Sequence, residues 1–137
     1  MFTTATAPRR PQQFANAYRQ VGAETGVAGA SPHRLIEMLF DGFMDALAQA
    51  RGAMRSGQLE AKGRAIGRAV RIVDEGLRAS LDLEAGGSLA QDLHDLYGYL
   101  TMRLTLANVR NDEAGLDECV RLVQPLREAW ASIAPQR

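Results

Sequence analysis

Two histidines, one cysteine and a row of arginines are the side chains here whose chemistry could go beyond packing. His33 and His94 could ligate a metal or carry a phosphoryl group, Cys119 could act as a nucleophile, and Arg64, Arg68 and Arg71 could grip an acidic partner. A metal site inside a helical bundle draws on Glu-x-x-His pairs, and neither histidine has an acid three residues before it. Two histidines are also too few for a buried two-metal centre, so no metal and no cofactor are expected. His94 lies on a helix flank, where a phosphotransfer site needs a cation close by to hold the phosphoryl group. No lysine follows it nearby, and a phosphotransfer bundle is kept only as an alternative. Cys119 falls on an apolar stripe, where a thiol is buried and inert. The arginine row stands beside Asp74 and Glu75 and reads as a solvated face paired at i,i+4 spacing. With no strand pattern to present a glycine-rich phosphate loop, the chain is read as a non-enzyme.

What remains is apolar recognition. At about 100° per residue, Leu89, Leu93, Leu96, Tyr97, Leu100, Leu104 and Ala107 share one face of a helix, as packing on a core requires. Tyr99, Met102, Leu106 and Val109 recur at spacings of three and four on nearly the opposite face, where a soluble bundle should be polar. That helix is expected to hold its own bundle on one side and a partner on the other.

Composition limits the partner. The 16 basic and 16 acidic residues cancel, so no concentrated charge points to nucleic acid or to a lipid surface. A lone cysteine cannot close an internal bridge and suits a reducing compartment, which makes the cytoplasm the expected location. MFTTATAPRRPQQF lacks the apolar segment of a signal peptide, and no run is long enough to cross a membrane.

Four elements must position these residues. Residues 1–31 hold two of the five prolines and read as a mobile N-terminal arm, with Phe14, Tyr18 and Val21 able to form a short amphipathic turn when docked. Residues 32–137 form the second unit. Ser31-Pro32 caps a first helix running to Met54, with Gly42 permitting a close helix neighbour and Gly57 supplying the left-handed stop. A second helix spans Leu59 to Leu83, with a minor strip of small residues that includes Ala61, Ala65, Ile72 and Gly76. Gly86-Gly87 breaks the chain, and Ser88 with Gln91 forms a capping box for the third helix. Asn111-Asp112 caps the fourth, in which Pro125 should produce a bend. The expected fold is all-α, an antiparallel up-down four-helix bundle with a mobile arm.

The runs SPHRLIEMLFDG from Ser31, VRIVDEGLRASLDLEAGG from Val70, LHDLYGYLTMRLTLANVRND from Leu93, and the late Trp130 resemble the FliS family of flagellar secretion chaperones. The resemblance covers residues 18 to 133 in order, with Pro125 and a longer, proline-rich arm as departures. It implies a cytoplasmic bundle that wraps the disordered C-terminal segment of flagellin, prevents premature polymerisation and assists delivery to the type III export gate, without nucleotide hydrolysis.

Helix-in-groove recognition needs an apolar trough, and Ile72, Tyr99, Met102, Leu106 and Val109 are the candidate partner-binding residues. Burying four such side chains is worth about 6 to 12 kcal/mol gross, at 1.5 to 3 each. Ordering a disordered client consumes about 2 to 5 of that, which keeps binding reversible. Phe14, Tyr18 and Val21 are expected to cap the groove until flagellin displaces them. The surplus face could instead meet the arm or a second copy of the chain, as a monomer or weak homodimer. A helical oligomerising adaptor is therefore the runner-up.

Overall fold

The structure, a computed structural model, describes residues 11–19, 21 and 30–133. Every regular element among them is helical. The rest of the arm and residues 134–137 lie outside the described residues. The first helix, α1, is the short piece Pro11–Ala17. The second, α2, spans Pro32–Arg55, with the Ser31 side chain accepting from the Arg34 amide and proline in the first turn. The serine satisfies one of the orphan amides of that turn. Gly57 ends the turn beyond it at φ +70°, the left-handed conformation expected of that glycine.

The expected second helix is two things. Helix α3 covers Leu59–Arg71 and passes directly into a π-helical segment, Ile72–Arg78. Ala69, Val73, Leu77 and Leu81 are all buried, an unbroken run of fours. An α-helix of 3.6 residues per turn would carry such a run around its surface by about 40° at each step. A wider turn keeps the run on the core, which is what the π-segment does.

Helix α4, Leu83–Arg110, starts earlier than Ser88. Asp82 caps it by accepting from the Glu84 and Ala85 amides, and Gly87 kinks it at φ 58°. The Ser88–Gln91 box does not form; Gln91 donates to Asp95 at 3.1 Å. Asn111 at φ 53° then closes α4. Lys62, buried in α3, donates to the Asn108 carbonyl and to Asn111, both at 3.0 Å, placing a cation on the negative end of the α4 dipole. Helix α5, Glu113–Ser132, is capped by Asp112 and continues through Pro125.

Ion pairs give the helix directions. Arg55 meets Glu113, Arg51 meets Asp117 and Arg127 meets Asp41, so α2 and α5 run in opposite senses. Lys62 with Asn108 and Arg78 with His94 set α3 and its π-segment against α4 in the same way. One continuous apolar core joins all of these elements and includes Phe14, Tyr18 and Val21.

Candidate functional site

Between α2 and α3 lies an open trough. Its wider half, about 530 Å³, is lined by Leu35, Met38, Leu39 and Gly42 from α2 and by Arg68, Ile72, Glu75, Gly76 and Ser80 opposite, with Val21 at the end. A second depression of about 460 Å³ continues past Arg68 between Gly52, Ala53, Ala61 and Ala65, flanked by Gln49, Gln58 and Arg64. From Leu35 to Ala53 the α2 wall is about 27 Å long at 1.5 Å per residue, room for several turns of a guest helix. Small residues keep the floor low. A Cβ on Gly42 would stand 3.3 Å from Ile72 Cδ1, and one on Gly76 would stand 2.9 Å from Leu39 Cδ2. The π-segment supplies Ile72, Glu75 and Gly76, so the wide turn that serves the core also shapes this wall.

The five candidate partner-binding residues are divided between two surfaces. Ile72 lies in the trough against α2, whereas Tyr99, Met102, Leu106 and Val109 share the outer face of α4. Met102 is 47% exposed and Val109 78% exposed, while Tyr99 and Leu106 are half-buried. The Tyr99 hydroxyl donates to the Glu118 carboxylate, which also accepts from Arg103 Nε at 2.8 Å. The Tyr99 bond first, and Arg103 second, hold the Glu118 carboxyl below the usual range; the same bond pushes the Tyr99 phenol up. Met38, Leu39 and Gly42 were not singled out as trough residues from the sequence. Leu39 belongs to an apolar fan on α2 that is wider than one neighbour needs, whereas Met38 and Gly42 lie outside that fan and carry no such signal.

The three cap residues are also separated. Only Val21 borders the trough. Phe14 and Tyr18 are sealed in the core at 0% and 3% exposure, edge-on to Trp130 with ring centroids 5.0 and 5.4 Å away. The Tyr18 and Tyr97 hydroxyls bond to each other, and burial pushes both phenols well up. Gln13 donates to the Gly86 carbonyl at 3.2 Å, and the Asp82 amide donates to the Ala17 carbonyl at 2.7 Å. Gly86 permits that approach, because a Cβ there would stand 2.8 Å from Ala17 Cα. Behind Trp130, His33 stacks at 5.0 Å. His33 Nε2–H donates to the Trp130 carbonyl at 2.9 Å, and Trp130 Nε1–H donates to the His33 carbonyl at 3.0 Å. His33 therefore staples the start of α2 to the end of α5, and is half-buried.

The reactive side chains are occupied or shielded. Arg78 Nε–H donates to His94 Nε2 at 3.3 Å, and His94 Nδ1 is buried without a hydrogen-bond partner, 3.7 Å from the Asp95 carboxylate. Burial pushes the Cys119 thiol up to about 12. Among the described residues no group of three or more His, Cys, Asp or Glu side chains lies together as metal ligands do, and no helix is long and apolar enough to cross a membrane.

The described residues thus form an all-helical bundle with a sealed core and an open apolar trough beside it. Residues 14–137 match the family model described as flagellar protein FliS. The chain is 48% identical over 120 residues to the flagellar secretion chaperone FliS of Salmonella typhimurium, covering 88% of this chain and 89% of that protein. It is 46% identical over 117 residues to FliSB of Pseudomonas aeruginosa, at 85% and 92% coverage. It is 29% identical over 114 residues to FliS of Bacillus subtilis, at 83% and 80%. The chain belongs to the FliS family of flagellar secretion chaperones. Its role is that of a flagellar export chaperone, with a flagellar protein as its partner.

Proposed function

We propose that this protein is a cytoplasmic, non-enzymatic carrier of flagellin, binding the disordered C-terminal segment of the client and holding it unpolymerised until it reaches the flagellar export gate. The observation that carries this reading is the α2–α3 trough, an unfilled apolar groove of helical length. Helix-in-groove recognition needs such a trough, open on its outer side. The client segment lies in the trough and passes on to the outer face of α4, where Tyr99, Met102, Leu106 and Val109 extend the contact. Wrapping more than one face buries more apolar surface than the trough alone, which a segment that must first be ordered requires.

The arm takes part in this reading. Val21 stands at the end of the trough, so a client entering there meets the segment that carries Phe14 and Tyr18. Phe14 and Tyr18 anchor that segment in the core, so of the three residues Val21 is the one whose displacement would open the trough's end. Deleting residues 1–22 should raise the flagellin on-rate, with chain stability measured in parallel; an unchanged on-rate counts against the cap.

Titration of the full chain with the C-terminal segment of its own flagellin, followed by calorimetry, tests the main proposal. Saturable binding weakened by Leu106→Asp is expected. A stable homodimer that ignores the peptide in sedimentation would favour the oligomerising adaptor instead.

A further inference from the structure

Arg68 stands where the two halves of the trough meet and lines both of them. It is exposed, and its guanidinium reaches to 3.7 Å from the position of a Cβ on Gly42, over the floor. Of the other arginines on this side of the helix, Arg64 pairs with Glu60 at 2.9 Å and Arg78 with Asp74 at 3.3 Å, whereas Arg71, which does not line the trough, makes no ion pair among the described residues. Among the described residues no carboxylate pairs with Arg68, and Glu75, the acid that lines the same half of the trough, lies two helical turns farther on. A cation held over an apolar floor without an internal acceptor is complementary to a guest that brings its own carboxylate.

We propose that Arg68 is the specificity-determining residue of the trough, pairing with an acidic side chain carried between the apolar anchors of the docked segment. This rests on the reading that flagellin occupies the trough, and adds what the guest must look like: an amphipathic helix whose apolar face is interrupted, near its middle, by Asp or Glu. The planar, two-pronged guanidinium fixes the guest's register as well as its charge, because it accepts a carboxylate only from a narrow range of positions along the groove. Apolar contacts alone, on a floor of small residues, would let a helix slide.

The test is a titration of the full chain with the flagellin C-terminal peptide, using the unaltered protein, Arg68→Gln, Arg68→Lys and Arg71→Gln. Each is repeated with peptides in which one acid at a time becomes its amide. Arg68→Gln should weaken binding about fivefold, the upper range for a solvent-facing pair. Arg68→Lys should recover part of the loss, and Arg71→Gln, one turn on and outside the trough, should change little. One peptide amide should produce no further loss in the Arg68→Gln background. Equal effects of Arg68→Gln and Arg71→Gln, or additive losses with every amide, would overturn the pairing while leaving the docking reading intact. No binding by the unaltered chain would overturn both.

Discussion

The seat of α1 and the α2–α3 trough are both apolar depressions on one bundle, and they are built from opposite materials. The seat is lined with Trp130, Tyr97 and Tyr18 and closed by a polar clasp of Gln13, Gly86, Asp82 and Ala17. The trough sets Gly42, Gly52, Ala61, Ala65 and Gly76 between aliphatic walls of Leu35, Met38, Leu39 and Ile72, and is left open. Large rings fill space and fix one partner, whereas small residues keep a floor low for a partner that comes and goes. On the proposed reading the chain separates what holds it together from the groove it offers a client, and each half of that comparison can be attacked alone.

The largest effect is expected in the seat. Trp130→Ala removes the ring that supports Phe14, Tyr18 and His33, and should cost about 3 to 5 kcal/mol in denaturant unfolding. Alkaline pH probes the same place. Burial raises both the Tyr18 and Tyr97 phenols above their ordinary value, so the fold favours their protonated forms. That contribution is complete below about pH 10, where unfolded tyrosines are still protonated, and is lost as pH rises further. Unfolding free energy should fall by up to about 1.4 kcal/mol per pH unit for each phenol, and Tyr97→Phe should flatten the slope.

In the trough the expected effects on stability are smaller and those on binding larger. Gly76→Leu meets the flexible end of Leu39 rather than backbone, and should alter stability by about 1 kcal/mol while weakening flagellin-peptide binding at least tenfold by filling the groove. On the outer face of α4, Met102→Asp should change stability by less than about 0.5 kcal/mol, the usual range for an exposed site, with a measurable loss of peptide affinity by calorimetry.

The same division explains what could be read from the sequence. Periodicity shows through wherever a helix has one job: the cap at Ser31, the stop at Gly57, the core stripe from Leu93 to Ala107 and the burial of Cys119 all follow from local spacing. The outer stripe of α4 was legible for the same reason, since apolar residues at helical spacing on a second face are visible without coordinates. The trough was not, because it belongs to two helices at once; Ile72 was grouped with Tyr99, Met102 and Leu106 although it faces Gly42. The π-segment was legible in principle, in the four-residue spacing of Ala69, Val73, Leu77 and Leu81, but that run reads as an ordinary helix until the drift is added up. The depth at which Phe14 and Tyr18 are sealed depends on Tyr97 and Trp130, far away in the chain, and no local pattern reports it.

Methyl NMR of the full chain, with isoleucine and methionine labelled and the flagellin C-terminal peptide added, tests the central claim most directly. Ile72 and Met38 report on the trough, Met102 on the outer face of α4, and Ile66 on the core. Saturating peptide should shift Ile72, Met38 and Met102 and leave Ile66 nearly unmoved. Bound peptide with Ile72 and Met38 unshifted would show that the trough is not where the client lies.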